Sequence, residues 1–396
     1  MSGAARACRG LIYNWLMLGL ESQFLLDPNV YFLNHGSFGA TPKPVFEEYQ
    51  RWQRELERQP VEFLGRRHNE LMHNARAALA AYFKTEADNL VYTQNVTIAV
   101  NIVARSLELG PGDEVLATDH EYGACDRTWR FLASERGFTY INQPIAVPLV
   151  SVERFIHELW SGVTPRTRVI FISHITSSTA IRFPVEEVCR RARLAGIVSV
   201  VDGAHAPGQI DLDLPALGAD LYGGNLHKWL CAPKGAGFLY ARPEVQALLK
   251  PLVVSWGYES ETPSGSTFID HHEWWGTRDI AAFLAVPAAI EFQAAHDWDS
   301  VRTACHEMLA ELLDRINRLT GLRCFYPDRG WYVQVAAAPL PHAVDIVSLK
   351  GRLYDEYSVE VPLIDWNGHK LVRVSIQAYN TQRDADRLLE ALGRMI

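Results

Sequence analysis

Polar and ionisable residues directly follow several short apolar runs of the sequence that are typical of β-strands. The residues concerned are Thr93 to Thr97, Asp119 to Tyr122, His174, Asp202 to His205 and Asn225 to Lys228. Ligands of open parallel sheets bind beyond the carboxyl ends of the strands. If the apolar runs are neighbouring parallel strands, these residues meet at one edge of one sheet and form a single site.

The first of these segments, Thr93-Gln94-Asn95-Val96-Thr97, precedes a helix that we expect to begin near Ile98. A helix N-terminus offers unpaired backbone N–H groups and favours negative charge. With the hydroxyl of Thr97 beside those groups, the segment predicts a phosphate site without a glycine-rich loop.

A phosphate site, an aromatic side chain, a carboxylate, imidazoles and one lysine together match the needs of pyridoxal phosphate (PLP). The aldehyde of PLP requires a lysine that holds it as a Schiff base and later moves protons at the substrate Cα. Lys228 is the candidate. A carboxylate beside the ring nitrogen keeps the ring protonated and electron-withdrawing. Asp202 suits that role.

Taken singly, each residue also has a structural interpretation. Lys228 could be a surface lysine, and Asp202 begins an Asp-Gly pair of the kind that is common in turns. His174, His205 and Tyr122 could be core or rim residues with no part in chemistry. Only their joint placement after successive strands favours a cofactor site.

The elements that must position these residues alternate between β-branched runs and helical periodicity from residue 89 to residue 242. The predicted strands are Leu90–Thr93, Glu114–Thr118, Phe138–Gln143, Val169–Ser173, Ile197–Val201, Leu221–Gly223 and Gly237–Tyr240. A helix is predicted over Pro184–Leu194, where apolar residues recur at helical spacing. This alternation predicts an α/β fold with a mainly parallel seven-stranded sheet and helices on both faces.

After about Asp279 the pattern changes to a long helix, with apolar residues from Val301 to Leu319 near one stripe, followed by strands and a final helix over Asp384–Leu392. Asn367-Gly368 predicts a hairpin turn that leads into a strand over Leu371–Gln377. We therefore expect a small C-terminal α+β domain with an antiparallel sheet. The predicted organisation is an N-terminal segment that packs on the small domain (1–35), a large domain (36–280) and the small domain (281–396).

Composition excludes several classes of protein. The chain has 396 residues, 48% of them hydrophobic, and a formal net charge of -8, which argues against disorder and against nucleic acid or anionic membrane as partners. The apolar run Leu11 to Leu20 is interrupted by Asn14 and is too short to span a bilayer. Six cysteines are scattered without CxxC pairs, which predicts free thiols and a cytoplasmic location.

Four motifs in order give a specific resemblance. They are Asp202-Gly-Ala-His-Ala-Pro-Gly208, the stretch from Gly224 to Gly235 with Asn225-Leu-His-Lys228, Gly276-Thr-Arg278, and Arg373-Val-Ser-Ile-Gln-Ala-Tyr-Asn380. The sequence resembles the class V aminotransferase family of fold-type I PLP enzymes, and within it the isopenicillin N epimerase-like proteins. The resemblance runs from about Asn34-His-Gly-Ser-Phe-Gly39 to the last helix.

This resemblance implies roles for the site residues. Lys228 would carry the Schiff base, Asp202 would face the pyridinium nitrogen, His205 would lie near the phenolic oxygen and Tyr122 would stack on the ring. The remaining cofactor-binding residues would be Asn95, Val96, Thr97, His174, Asn225, His227 and Thr277, of which Thr277 would reach the phosphate of a partner subunit in a homodimer. Arg373 would bind the substrate α-carboxylate by a bidentate pair, with Asn34 and His35 beside the substrate.

The reaction stays open at this level. For epimerisation of an amino acid at Cα, Lys228 would take the proton on one face, and Tyr122 or His35 would return one on the other. A C–S lyase of the ergothioneine-pathway type would eliminate the β-substituent, and an aminotransferase would return the proton to the cofactor. Cysteine desulfurases of this family use a cysteine shortly before the carboxylate-binding arginine, and Tyr354 to Val372 contains none. This absence argues against desulfuration only. Epimerisation is our first prediction and C–S lysis the second.

Two other classes of function are weaker alternatives. His271, His272 and Glu273 could ligate a metal in a hydrolase, but the spacing is poor, and we predict no metal site. A non-catalytic protein on the same fold is expected to lack the lysine or the carboxylate, whereas this sequence keeps both Lys228 and Asp202.

Overall fold

A computed structural model describes residues 19–396. The first part of the predicted apolar run from Leu11 lies outside the described residues. The strands are β1 (Tyr31–Phe32), β2 (Leu90–Thr93), β3 (Glu114–Thr118), β4 (Thr139–Gln143), β5 (Thr167–Ser173), β6 (Val198–Gly203), β7 (Leu221–Asn225), β8 (Gly237–Ala241), β9 (Val335–Pro339), β10 (Val359–Glu360), β11 (Leu363–Trp366) and β12 (His369–Ser375).

The α-helices alternate with these strands. They are α1 (His35–Phe38), α2 (Lys43–Arg58), α3 (His68–Tyr82), α4 (Val96–Ser106), α5 (Gly123–Arg136), α6 (Val152–Trp160), α7 (Val185–Leu194), α8 (Leu214–Leu217), α9 (Thr267–Glu273), α10 (Ala281–Leu284), α11 (Val286–Ala295), α12 (Trp298–Thr320), α13 (Ile346–Tyr357) and α14 (Gln382–Met395). A π-helical stretch, Val61–Arg66, joins α2 to α3.

A seven-stranded sheet in the order β2-β8-β7-β6-β5-β3-β4 forms the centre of the large domain. All neighbouring pairs are parallel except those made by β8, which runs antiparallel to both β2 and β7. Buried apolar side chains cover both faces of the sheet, as expected for a parallel sheet between helices. The predicted α/β fold with a mainly parallel seven-stranded sheet is confirmed.

The register of three central strands brings polar residues together at their carboxyl ends. Ser173 of β5 pairs with Asp202 of β6, and Asp202 pairs with Gly223 of β7. Because the strands are parallel, the loops that follow them leave the sheet on the same edge. This edge is where the polar residues singled out by sequence are expected to meet.

Most predicted element boundaries agree with the structure to within a few residues, and two differences have a local cause. Strand β6 continues to Gly203 rather than ending at Val201, because Asp202 and Gly203 keep pairing with β7. Helix α4 begins at Val96 rather than near Ile98, because the Asn95 side chain caps it by accepting a 3.1 Å hydrogen bond from the Ile98 N–H.

The C-terminal part of the chain forms a three-stranded antiparallel sheet in the order β11-β12-β9. Asn367 and Gly368 connect β11 to β12, and both have positive φ angles, 48° and 79°, which a two-residue hairpin turn of this kind requires. Strand β1 pairs in parallel with β10, Tyr31 with Val359 and Phe32 with Glu360. This pairing places the chain just before α1 against the C-terminal unit; the domain boundaries themselves stay a prediction.

Candidate active site

A cavity of about 240 Å³ lies at the carboxyl edge of the large sheet. Fifteen residues line it: Ser37, Phe38, Asn95, Val96, Thr97, Tyr122, Ser173, Ile175, Ser177, Asp202, Ala204, His205, Asn225, His227 and Lys228. They come from the carboxyl ends of β5, β6 and β7, from the segments that follow β2, β3, β5, β6 and β7, including the start of α4, and from the short helix α1. The structure therefore brings together most of the polar residues that the sequence pattern assigned to one site.

Lys228 follows β7 and is partly buried. Its Nζ lies 3.2 Å from Nε2 of His205. Burial, together with repulsion from Arg373, lowers the pKa of Lys228 to about 8, against the attraction of Asp202. A lysine whose pKa lies this close to neutrality carries an appreciable fraction of neutral amine, the form that can attack an aldehyde.

His205 lies between Lys228 and the fully buried indole of Trp229. The Trp229 Nε1–H donates a 3.2 Å hydrogen bond to His205 Nδ1. Burial is the main cause that lowers the pKa of His205 well below its usual value, and the nearby Lys228 lowers it further. The imidazole is therefore neutral at physiological pH.

Asp202 is 2% exposed and sits at the end of β6. One carboxyl oxygen, Oδ1, accepts a 2.9 Å hydrogen bond from the Ala204 N–H, and Oδ2 accepts a 3.5 Å contact from the Cys125 thiol. Burial raises the pKa of Asp202, while the Ala204 N–H and Lys228 oppose the rise. Oδ2 has only the long thiol contact, so it can accept a hydrogen bond from a cationic ring N–H.

The anion site that the sequence predicts would lie at the amino end of α4. The Val96 N–H donates to the Asn225 side chain at 2.8 Å, and the Ile98 N–H donates to the Asn95 side chain. The first hydrogen bond within the helix runs from Ala99 N–H to the Asn95 carbonyl oxygen, which leaves the Thr97 N–H for an external acceptor. The Thr97 N–H and hydroxyl, with His227 also lining the cavity, make a site that fits a phosphate.

Two glycines clamp the loop that carries Lys228. Gly39 and Gly208 both have positive φ angles, 70° and 89°. A Cβ atom would lie 2.0 Å from the His227 carbonyl oxygen at Gly39 and 2.2 Å from the Trp229 carbonyl oxygen at Gly208. Any larger residue would force the chain away from Lys228 at either position.

Arg373 extends from β12 to the edge of the cavity and is 5% exposed. Its Nη1 donates to the Ser177 carbonyl oxygen at 2.6 Å, and its Nη2 donates to the Ser37 hydroxyl at 3.1 Å. Burial lowers its pKa to about 10, so the guanidinium stays charged at neutral pH. Ser37 and Ser177 both line the cavity, which places this cation within reach of a carboxylate bound there.

Five residues that the resemblance assigned to the site do not line the cavity: Arg373, which contacts the lining residues Ser37 and Ser177, and four others. His174 is buried, and its Nδ1 lies 3.0 Å from the Tyr222 hydroxyl. Both ring nitrogens of His35 are engaged elsewhere, with the Tyr379 hydroxyl at 2.9 Å and the Lys228 carbonyl oxygen at 3.0 Å. Asn34 is bonded to Glu360 and Ser37, and Thr277 lies exposed on the surface.

His35 and Asn34 act on the site through other residues. His35 holds the backbone of Lys228, and Asn34 accepts a 2.5 Å hydrogen bond from Ser37, the residue that contacts Arg373. Burial lowers the pKa of His35 and of His174 to about 3. Direct contact of His35 or Asn34 with a substrate, as the resemblance implied, finds no support in this geometry.

Sequence reasoning missed several cavity residues. Ser37, Phe38, Ser173 and Ser177 line the wall, and the position of Ser173 at the end of β5 was the one available signal. Glu121, next to Tyr122, accepts 2.6 Å hydrogen bonds from the hydroxyls of Thr118 and Ser173. Burial raises the pKa of Glu121 to about 8, with a smaller contribution from Asp202.

The residues considered for a metal site lie in another region. Glu273 forms a buried ion pair with Arg76, and His272 packs against the ring of Phe268. Among residues 19–396, no cluster of three or more histidine, cysteine or acidic side chains has the geometry of a metal site. In the same part of the chain, no helix combines the length and apolar character that crossing a bilayer requires.

The family model described as Aminotransferase class-V matches residues 30–388. The chain belongs to the class V aminotransferase family. Among similar proteins of this family is an isopenicillin N epimerase of Amycolatopsis lactamdurans, 39% identical over 388 residues, which cover 95% of this chain and 97% of the relative. An isopenicillin N epimerase of Streptomyces clavuligerus is 34% identical with the same coverage. A putative L-cysteine desulfhydrase of Oryza sativa subsp. japonica is 28% identical over 93% of this chain and 84% of the relative.

Solved structures share the fold of this class V chain. A C-DES mutant with glycine covalently linked to its PLP cofactor superposes with a TM-score of 0.83 at 21% identity, over 93% of this chain and 97% of that one. The complex of the cystine C–S lyase C-DES with cysteine persulfide gives a TM-score of 0.82 at 22% identity, over 93% and 98%. These matches confirm the fold-type I architecture.

The class V chain is a PLP-dependent enzyme, and three features of its cavity fit PLP. The Thr97 N–H is available for the phosphate, Asp202 Oδ2 for the ring nitrogen, and the Lys228 amine, with its lowered pKa, for the aldehyde. These assignments of single residues stay proposals, since they derive from placement alone.

Proposed function

We propose that this class V enzyme inverts the configuration at Cα of an amino acid substrate and that it acts as an isopenicillin N epimerase. The observation that carries the proposal is the similarity to two isopenicillin N epimerases, which are 39% and 34% identical to this chain over nearly the whole length of both sequences. The desulfhydrase relative is less similar: it is 28% identical, and the match covers 84% of its length. The proposed substrate is isopenicillin N or a related amino acid.

Epimerisation needs one group that removes the Cα proton and another that returns a proton on the opposite face. When bound, PLP supplies a conjugated cationic ring that takes up the electron pair left at Cα. Lys228 suits the first role, because a pKa of about 8 lets its amine both take and release a proton near neutrality. The proton moves from Cα to Nζ.

Tyr122 is the proposed second group. Its side chain lines the cavity together with Lys228 and is 44% exposed, so the hydroxyl can exchange its proton with water. The other candidate from sequence, His35, is unsuited to the role, since Tyr379 and the Lys228 carbonyl occupy its two ring nitrogens. Arg373 orients the substrate by pairing with its carboxylate.

A C–S lyase is the second candidate, and the desulfhydrase relatives favour it. Elimination would need Lys228 for the same first step and no acid on the opposite face. Sulfur transfer to a protein cysteine is disfavoured, because no cysteine of residues 19–396 lines the cavity. Cys125 lies nearby, but burial raises its pKa well above the usual value, which keeps it a thiol.

The deciding experiment is incubation of the purified protein with isopenicillin N, and in parallel with L-cysteine, in deuterated water. An epimerase incorporates deuterium at Cα of isopenicillin N, inverts that centre and leaves the carbon skeleton intact. Proton NMR and chiral chromatography measure both events. Release of pyruvate from L-cysteine without inversion of isopenicillin N would instead establish the lyase.

We also propose a homodimer in the cytoplasm, with Thr277 of each subunit contacting the partner's cofactor. Thr277 is exposed and lies away from the cavity of its own chain, which is compatible with a contact across an interface. The five cysteines described are free thiols, as expected in a reducing compartment.

A further inference from the structure

Trp229, His205 and Lys228 form a hydrogen-bonded row, and His205 and Lys228 line the cavity. The indole Nε1 lies 3.2 Å from His205 Nδ1, and the opposite ring nitrogen, Nε2, lies 3.2 Å from Lys228 Nζ. Trp229 and His205 are both buried, with exposures of 0% and 2%. Trp229 directly follows Lys228 in the chain and is not among the residues that line the cavity.

The chemistry of the three groups fixes the protons in this row. An indole N–H can only donate, so His205 Nδ1 must accept. A neutral imidazole carries one proton, which then resides on Nε2. Since Nε2–H points at Nζ, the lysine nitrogen must accept, and only the neutral amine has a lone pair for this.

We propose that Trp229 is a positioning residue that fixes His205 as the Nε2–H tautomer and thereby favours the neutral amine of Lys228. If Nζ were an ammonium, its N–H groups and the His205 Nε2–H would all be donors, and no hydrogen bond could form between the two residues. The neutral amine is the form that reacts with an aldehyde. Trp229 thus acts on Lys228 through His205 without contacting the cavity.

Trp229 is itself held by three neighbours. The Gln293 side chain donates a 2.9 Å hydrogen bond to its carbonyl oxygen, and the ring of His35 packs 4.8 Å from its ring. Gly208 approaches its carbonyl so closely that a Cβ there would lie 2.2 Å from the oxygen. The indole therefore keeps its orientation, and His205 keeps its tautomer.

One consequence concerns the reaction. With Nδ1 occupied by the indole and Nε2 already protonated, His205 has no free lone pair and cannot act as a base. Lys228 is then the base next to it. The inference rests on the proposed role of Lys228 but is independent of whether the reaction is epimerisation or elimination.

The tautomer can be measured directly in the full-length protein, freed of cofactor and labelled with ¹⁵N-histidine. Nitrogen NMR distinguishes protonated from unprotonated ring nitrogens, and the resonances of His205 are those missing from the His205→Gln protein. We expect an unprotonated Nδ1 and a protonated Nε2. A protonated Nδ1 in the unmutated protein would overturn the proposal.

The effect on Lys228 can be measured by the rate at which Nζ forms its C=N bond with added PLP, with loss of water, as a function of pH. Trp229→Phe keeps an aromatic ring and removes the donor. The pH at which the rate is half-maximal, here called the midpoint, should rise. The rate at pH 7 should fall about three- to tenfold, the range expected for one hydrogen bond. The other ionisable groups around Lys228 and His205, which are Arg373, Asp202, Cys125, His35 and His227, are unchanged.

Two controls separate this effect from altered packing. Trp129 is also fully buried, but its Nε1–H has no hydrogen-bond partner, so Trp129→Phe should leave the midpoint unchanged. In the His205→Gln background, Trp229→Phe should change the rate no more than about twofold, since the coupling runs through the imidazole. An unchanged midpoint in Trp229→Phe, or an equal loss in both backgrounds, would contradict the proposal.

Discussion

The Arg373 guanidinium donates a 2.6 Å hydrogen bond to the backbone carbonyl oxygen of Ser177. Arg373 belongs to β12 of the C-terminal unit, and Ser177 belongs to the loop after β5 of the large sheet. Its second nitrogen contacts Ser37, which follows β1. Three separate segments therefore set the position of this cation before any substrate carboxylate reaches it.

Arg373→Lys should lower kcat/KM by about 10- to 100-fold, mainly through KM, because an ammonium cannot form the paired hydrogen bonds of a guanidinium. Steady-state kinetics with the substrate identified by the deuterium experiment measure this. Arg352 is the matched control: it is exposed and pairs with Glu356, so Arg352→Lys should be neutral. Equal effects of the two substitutions would remove Arg373 from carboxylate binding.

Tyr122→Phe should separate stacking from proton return. The ring is kept and the hydroxyl is lost, so the rate of inversion should fall by about 100-fold or more, the usual contribution of a general acid. Exchange of the Cα proton with retention should continue, since Lys228 is intact. NMR in deuterated water gives both rates. Tyr258 is also exposed, and Tyr258→Phe is the control that should leave inversion unchanged. If Tyr122→Phe also left the rate of inversion unchanged, the Tyr122 hydroxyl would be excluded as the acid.

Glu121 should make the protein less stable as pH rises. Its pKa is about 8 in the folded state and about 4.3 when unfolded, so the folded protein binds more protons between these values. The free energy of unfolding then falls as pH increases from about 4.5 to 8. Glu121→Gln keeps an acceptor for Ser173 and should remove about 3.5 kcal/mol of the fall between pH 5 and pH 8, the amount that follows from these two pKa values.

Urea unfolding of the two proteins at pH 5 and pH 8 measures the difference. The exposed residue Glu135 supplies the control, since Glu135→Gln should leave the pH dependence of stability as it is. A Glu121→Gln protein with the same pH dependence as the unmutated protein would show that the carboxyl is ionised at neutral pH.

The proposed interface site predicts complementation between two inactive proteins. Lys228→Ala lacks the amine, and Thr277→Ala lacks the contact to the partner. A mixed dimer has one site with both defects and one intact site, so random mixing should restore about a quarter of the activity. Activity and dimer mass are measured after refolding the mixture. No recovery in a protein that forms mixed dimers would place Thr277 outside the partner's site.

Sequence was sufficient for the large sheet because each strand is a short apolar run with a polar residue at its carboxyl end. Asp202, Asn225 and Lys228 could be grouped for this reason. The contact between Arg373 and Ser177 could not be predicted, since nothing local indicates which loop a strand 196 residues away will face. Nor does sequence show where an imidazole points. His174 follows a strand as His205 does, and the resemblance placed His35 beside the substrate, yet the rings of both contact tyrosines.

The close approach of Gly39 and Gly208 to the lysine-bearing loop has a consequence for protein engineering. Their neighbour Phe38 is 73% exposed and lines the cavity, so randomising Phe38 can alter the range of accepted molecules while the backbone stays in place. A combinatorial library that also varied the two glycines would consist mostly of proteins with a displaced loop. Laboratory evolution of this protein should therefore vary residues at the rim of the cavity and keep Gly39 and Gly208 unchanged.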